Sequence, residues 1–350
     1  MVGADQVLSL PWLAGPLQRA LTTARSHALL VQGPAGVGQF DLALLLAQSW
    51  LCETPLTAGP DSGRACGLCA SCKLFHARTH PDFLLLLPEA LREPLGWGSQ
   101  EAEGGRDGEP KASKTKPSRE IKIDAVRAML AFSQVTSARG RAKVVVVYPA
   151  EALNTVAANA LLKTLEEPAG LLRFVLASSA SESLLPTIRS RCQPVPLGLP
   201  ARGEALAWLQ GQGVEGQDVL LDAAGGRPQE ARDWFESGLR ATAWLQLPQR
   251  LARGEAAALA DWPASRAIDA MQRLCHDMLR LAHGAPPSYF PAQALPPPTS
   301  AAALHAWAAA LRQAARHAEH PLNGGLLLES LVGQGQQALF RPGKPPARRS

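Results

Sequence analysis

Apolar runs alternate with stretches of helical periodicity from residue 1 to residue 198. His27-Ala28-Leu29-Leu30-Val31 runs apolar into Gly33, as a strand buried on both faces does. Ahead of it Leu13, Leu17, Ala20 and Leu21 recur at helical spacing. Behind it Phe40 to Trp50 is apolar nearly all round, which predicts a buried helix. Pro81-Asp82-Phe83-Leu84-Leu85-Leu86-Leu87-Pro88 predicts a second buried strand bracketed by prolines. Asp124, after Ile121-Lys122-Ile123, is placed to N-cap a helix from Ala125 to about Thr136. The β-branched run Lys143-Val144-Val145-Val146-Val147-Tyr148 suits a central parallel strand. A helix around Asn154 to Glu167 is stopped by Pro168. Arg173 to Ser179 reads as a strand, Leu184 to Ser190 as a short helix, and Gln193 to Leu197 as a last short strand. Strands alternating with helices predict an α/β fold: a parallel sheet with helices on both faces.

From about Pro200 only the helical period remains. Glu204 to Gln210, Gln217 to Ala224 and Gln229 to Leu239 predict short helices, with Gly225-Gly226 breaking the second from the third. After Pro248 the helices lengthen. Ile268, Met271, Leu274, Cys275, Met278, Leu279 and Ala282 form one apolar face, and Leu304, Trp307, Ala308 and Leu311 another. A Pro-rich linker, Pro286 to Pro298, separates them. The Trp and Met positions read as packing rather than cofactor contacts. Two stretches lack periodicity altogether. Glu89 to Glu120 is rich in Gly, Pro, Glu and Lys and predicts a mobile surface insertion with solvated lysines. The Arg-rich tail after Phe340 predicts disorder.

Composition narrows the class. A chain of 350 residues suits two or three domains, and 46% hydrophobic with 19% charged residues is an ordinary soluble balance. No run of about 18 apolar residues suggests a membrane span. No basic segment leads into an apolar h-region, so the expected compartment is the cytoplasm. The formal charge of +5 and pI of about 9.0 permit contact with nucleic acid without requiring it.

Two motifs carry chemistry. Cys52 is followed, after thirteen intervening residues, by Cys66-x2-Cys69-x2-Cys72. Thiolates at C-x2-C spacing converge on one tetrahedral ion, so the expected occupant is a structural Zn²⁺; four thiolates leave no open position for catalysis. The alternative is a loop of free thiols. The second motif is Gly33-Pro34-Ala35-Gly36-Val37-Gly38-Gln39-Phe40. It has the spacing and strand–loop–helix context of a phosphate-binding loop. A working loop continues with Lys, which neutralises phosphate, and Ser or Thr, which ligates Mg²⁺. Gln39 and Phe40 can do neither.

Further motifs resemble a family. Asn159-Ala160-Leu161-Leu162-Lys163-Thr164-Leu165-Glu166-Glu167-Pro168 is similar to a signature of AAA+ clamp-loader subunits, and Ser190-Arg191-Cys192 resembles their Ser-Arg-Cys motif. The order of glycine loop, four-Cys module, β-branched strand, this helix and Ser-Arg-Cys resembles the bacterial DNA polymerase III clamp loader. His320-Pro321-Leu322-Asn323 followed by Leu326-Leu327-Leu328-Glu329 resembles its collar. The resemblance implies an AAA+ core at 1–198, with a zinc module at about 52–75 and the insertion at about 89–120. It also implies a helical lid at 199–242, a helical collar at 243–340 and a tail at 341–350.

Two kinds of subunit share that layout: motors that hydrolyse ATP, and the delta prime kind that does not. A motor would end its β-branched strand with Asp-Glu; here Tyr148-Pro149 stand there, with Glu151 beyond the proline. Ser178 or Ser179 replaces the family's sensor Thr, and the sensor Arg position falls on Gln229, beside Arg227. Losing the loop Lys, the hydroxyl and the acidic pair together implies the non-hydrolysing kind, without ATPase of its own. The resemblance implies that Arg191 is an arginine finger acting in trans on a neighbour's ATP, with Ser190 and Cys192 shaping its loop at the interface. Lys163 and Glu167, an i,i+4 pair, read as a solvated ion pair. The implied partners are delta and gamma or tau subunits. The sliding clamp and primed DNA are reached through the complex, and no membrane is involved. The chain would thus be a subunit of a DNA-directed DNA polymerase holoenzyme. Two alternatives stay open: an active gamma/tau-type motor, or a zinc-dependent nucleic-acid-binding module on a dead AAA+ fold.

Overall fold

A computed structural model describes residues 1–59, 61–98, 117–297, 299–316 and 324–339. Most of the expected insertion (99–116), the tail (341–350) and His320-Pro321-Leu322-Asn323 lie outside the described residues. The chain divides into two compact units, Met1–Glu204 and Ala205–Ser350.

The first unit is built on a parallel sheet. Its elements run α1 (Ala14–Thr23), β1 (Ala28–Gln32), α2 (Gln39–Leu51), α3 (Ala70–His76), β2 (Phe83–Leu86), α4 (Glu89–Arg92), α5 (Ile123–Gln134), β3 (Lys143–Val147), α6 (Thr155–Glu166), β4 (Leu172–Ser178), α7 (Pro186–Arg189) and β5 (Gln193–Pro196). The strands lie in the order β2-β3-β4-β1-β5, every pair parallel. Crossover helices force that arrangement, because parallel neighbours cannot be joined by a tight turn. On one face Leu30, Val145, Val147, Phe174 and Leu176 meet Val126 and Met129 of α5 and Leu161 and Leu165 of α6. The other face is covered by α2, whose Leu42, Ala43, Leu45 and Leu46 are buried. Each of these Leu, Val, Phe and Met side chains contributes roughly 1.5–3 kcal/mol on burial.

Local signals explain the element ends, with instructive exceptions. Asn154 N-caps α6, its side chain accepting from Ala157 N at 2.9 Å. Asp124 is not a cap. The helix starts one residue earlier, at Ile123, and Asp124 sits in its first turn, bonded to Arg127 Nη1 at 3.1 Å. A carboxylate there favours the helix through the positive end of its dipole. The Pro81–Pro88 strand is an edge strand rather than a buried one: Phe83, Leu84 and Leu85 are half-buried, because β2 has a neighbour on one side only.

The second unit is helical: α8 (Arg202–Gly211, which begins just before the boundary), α9 (Gln217–Ala223), α10 (Pro228–Glu236), α11 (Ala241–Ala252), α12 (Ala264–Ala282), α13 (Ala301–Arg316) and α14 (Gly324–Leu339). Pro248 lies buried inside α11. The Pro286–Pro298 stretch is no free linker. Phe290 and Leu295 are buried, and backbone N–H groups of Ser288, Tyr289 and Phe290 donate to the buried Asp277 carboxylate at 2.8, 2.8 and 2.9 Å. Arg273, one turn earlier on α12, is also buried; it donates to Ala223 O and Glu230 and lies over the Trp234 ring at 4.6 Å. Among the described residues no helix is long and apolar enough to cross a membrane.

Candidate functional site

The glycine loop joins β1 to α2 at the carboxyl end of the sheet, where parallel sheets place their ligand sites. Gly33 is required by a close approach: a Cβ there would stand 2.0 Å from Leu197 O. Gly38 has φ +98°, which only glycine adopts without strain, and a Cβ would meet Leu10. The loop is closed upon itself. Gln39 is 4% exposed, and its Nε2 donates to Gly33 O at 2.7 Å and Pro34 O at 2.5 Å. The side chain that stands where a lysine would reach outward to phosphate therefore turns back onto the loop's own carbonyls. From outside, Trp12 Nε1 donates to Val37 O at 2.8 Å.

The metal-binding half of such a site is replaced by aromatic packing. Phe40, in the hydroxyl's place, stacks on Tyr148, in the first acidic place, with centroids 4.8 Å apart and planes 25° from parallel. Burial pushes the Tyr148 hydroxyl above its ordinary pKa, helped by Glu151 and Asp41. Glu151 is committed elsewhere: one carboxylate oxygen accepts from Ser179 N at 3.1 Å and Ser179 Oγ at 2.8 Å. Ser178 is buried, its hydroxyl accepting from Ala180 N at 3.1 Å. In the second unit Arg227 donates to Ala224 O at 2.7 Å and pairs with Glu230 at 2.8 Å, while Gln229 lies in the first turn of α10.

Ser190-Arg191-Cys192 forms the turn between α7 and β5. Arg191 Nε donates to Glu166 at 2.6 Å, Nη2 reaches the same carboxylate oxygen, and Nη1 donates to Thr187 O at 2.9 Å. About a third of the Arg191 side chain is exposed, 32%, so the guanidinium is held but reachable. Ser190 Oγ donates to Thr187 O at 3.1 Å. Cys192 lies in the core, its thiol pushed up to about 12 by burial, which makes it a poor nucleophile. The ion pair of α6 is thus Glu166 with Arg191. No Lys163–Glu167 pair forms among the described residues; the two residues share only a backbone bond, Glu167 N to Lys163 O at 3.0 Å.

The four cysteines converge. Cys52 follows α2, Cys69 N-caps α3 and Cys72 lies in that helix's first turn. The Cys52, Cys66, Cys69 and Cys72 sulfurs all lie within 4.8 Å of one another, with Cys52 at 3.5 Å from Cys66 and 3.8 Å from Cys69. A tetrahedral ion with sulfur ligands needs separations of about 3.8 Å, so the set can hold a metal. Backbone N–H groups of Cys66, Leu68, Cys69 and Cys72 point at sulfur at 3.3, 3.4, 3.3 and 3.4 Å, which stabilises thiolate. The neighbouring Cys72 thiol, together with nearby amides, brings Cys52 down to about 5. The cluster is tied to the sheet through Glu53 and Ser71, both bonded to Arg139, whose own N–H donates to the buried Asp82 at 3.0 Å. Nothing in the spacing pointed to Glu53, Arg139 or Glu166, because their partners lie 86 and 25 residues away in sequence.

Strand order and glycine loop define a P-loop-type α/β domain carrying a four-cysteine cluster. The family model described as "DNA polymerase III, delta subunit" matches residues 14–200. A DNA polymerase III subunit delta' of Escherichia coli K12 is 32% identical over 285 residues, covering 75% of this chain and 76% of that one. The Pseudomonas aeruginosa delta' subunit is 37% identical over 219 residues, but the match spans only 57% of its length and 61% of this chain. A Salmonella typhimurium tau subunit is 32% identical over 193 residues, 55% of this chain and 24% of tau. The chain belongs to the DNA polymerase III delta prime family of clamp-loader subunits.

Proposed function

We propose that this chain is the non-hydrolysing delta prime subunit of the DNA polymerase III clamp loader. It would assemble in the cytoplasm with delta and gamma or tau subunits to load the sliding clamp onto primed DNA. The observation that carries the reading is the glycine loop, with Gln39 bonded to its own carbonyls and Phe40 stacked on Tyr148. A loop so filled offers neither a cation for phosphate nor an oxygen for Mg²⁺. Its remaining role is geometric: it joins a core strand to a helix in a domain shaped to match its neighbours.

The catalytic contribution would be made in trans. Arg191, reachable at the turn before β5, would leave Glu166 for the γ-phosphate of an adjacent motor's ATP. There the guanidinium would stabilise charge that develops in the transition state, an effect of roughly 10³–10⁵ in rate. Ser190 and Cys192 would shape the interface turn. Cys52, Cys66, Cys69 and Cys72 would hold one structural Zn²⁺, which when bound cross-links the module without reacting. Residues 1–198 would form the AAA+ core, 199–242 the lid and 243–340 the collar.

Reconstitution tests the reading. Purified alone, the chain should not hydrolyse ATP. Added to motor and delta subunits, it should raise DNA-stimulated ATPase and clamp loading, and the Arg191→Ala chain should assemble yet fail to raise either. ATP turnover by the chain alone, lost on substitution in 33–40, would replace this reading with that of a motor.

A further inference from the structure

The amino end of the sheet, opposite the glycine loop, carries a groove with no role in the function above. Two hollows of about 310 and 480 Å³ share Gly140, Arg141 and Leu171. The first lies between the segments leading into β3 and β4 and is walled by Val135 and Leu171. The second continues past Arg173 to Trp50, at the end of α2.

Charge in the groove is one-sided. Arg141, Lys143 and Arg173 line it, and among the described residues no Asp or Glu does. Four arginines of this unit have carboxylate partners: Arg64 with Asp61, Arg127 with Asp124, Arg139 with Glu53, Arg191 with Glu166. Arg141 has no ion pair among the described residues. Lys143 Nζ donates to Val135 O at 2.9 Å and lies 4.1 Å over the Phe132 ring, contacts that leave its charge uncompensated. Arg173 lies over the Trp50 ring at 4.8 Å, which fixes the guanidinium plane while leaving its N–H edge to donate.

The groove is also apolar where it should be wet. Leu171 is 71% exposed and Val135 63%, two of the few large hydrophobic side chains left in water by the described residues. A phosphate backbone would satisfy the arginines and leave Leu171 and Val135 in water. A peptide alternating carboxylates with apolar side chains satisfies both. We propose that this groove docks an acidic segment of a partner protein. One apolar side chain would sit between Val135 and Leu171, with carboxylates on Arg141 and Arg173.

Fluorescence anisotropy tests this on the full chain with a labelled peptide of alternating Glu and Leu. The peptide should bind, and both Arg141→Gln and Leu171→Ser, surface changes checked by an unaltered melting temperature, should weaken it by about fivefold or more. A Glu-Ser peptide of equal charge should bind at least about fivefold more weakly than the Glu-Leu peptide. Three outcomes would overturn the proposal: no binding of the Glu-Leu peptide up to about 1 mM, equal binding of the Glu-Ser peptide, or binding indifferent to either variant. Tighter binding of a labelled oligothymidylate, weakened by Arg141→Gln but not by Leu171→Ser, would reassign the groove to nucleic acid.

Discussion

Phe40 and Tyr148 stack ring on ring across the carboxyl end of the sheet, 4.8 Å between centroids, at the two positions where a nucleotide motor would hold Mg²⁺. Repairing the lysine alone therefore leaves the metal without a place. Gln39→Lys should release no phosphate from ATP above the unmodified chain. A metal-dependent rate from that single change would sink the argument. Phe40→Ala removes the stacked partner and should lower stability in urea by about 1–3 kcal/mol, because the ring is only partly buried.

Arg191 is held by Glu166 in a pair with about a third and about half of the two side chains exposed, 32% and 47%. Such a pair contributes about 0–1 kcal/mol. Arg191→Ala should therefore shift the melting temperature little, while reducing ATPase of the reconstituted complex by roughly 10³ or more. Arg191→Lys should not rescue it, since an ammonium lacks the planar fork. Glu166→Gln should leave turnover within about twofold if the carboxylate only parks the guanidinium. An Arg191→Ala complex with normal turnover would remove the finger from the mechanism.

Metal analysis of the purified chain should find about one Zn²⁺ per molecule. Chelation, or Cys69→Ser, should expose the 52–72 segment to protease while β1, β3 and β4 keep their amide protection, because those strands are buried against α2, α5 and α6 rather than against the cysteines. Arg139→Met should loosen the same segment with the metal still bound, since it removes the link to Glu53 and Ser71. A metal-free chain with an intact, protease-resistant segment would refute the metal assignment.

Glu230 gives the second unit a pH dependence of known sign. Burial raises its carboxyl above the usual 4.5, against the pull of Arg273 and Arg227. A raised acid binds its proton more tightly in the folded state, so this group's contribution is fully present below about pH 4.5 and falls as pH rises through the higher folded value. Glu230→Gln should flatten that slope in thermal melts taken between about pH 4 and pH 7.

Much of this was legible because period and buried apolar content go together. The runs read at 27–31, 143–148 and 173–179 became strands β1, β3 and β4, and the cysteine spacing located a cluster that does converge. What stayed hidden depends on partners distant in sequence. Nothing in Lys163-Thr164-Leu165-Glu166-Glu167 says that Glu166, rather than Glu167, finds a cation, because that depends on where the α7 turn returns. Phe40 and Tyr148 read as two separate losses of chemistry, and only the packing of α2 across β3 and β4 brings them together as one contact. Pro286–Pro298 reads as a linker by composition, and its anchoring depends on residues of other elements, among them one buried acid on α12.

That acid is Asp277. It has no solvent exposure and accepts three backbone N–H bonds, from Ser288, Tyr289 and Phe290. The bonds hold Tyr289 O where Trp244 Nε1 donates to it at 3.0 Å, and Phe290 where its ring stacks on Trp244 at 4.5 Å. Asp277→Ala would leave three donors facing a buried void, which should cost about 3–5 kcal/mol. Asp277→Asn keeps the shape but turns one acceptor into a donor, and it should fall between the alanine variant and the original chain. The signature should appear in the Trp244 environment before global unfolding: near-UV dichroism and tryptophan fluorescence should change while the sheet of the first unit keeps its amide protection. If Asp277→Ala melts within about 1 kcal/mol of the original, the segment is held by its apolar contacts and the carboxylate is incidental.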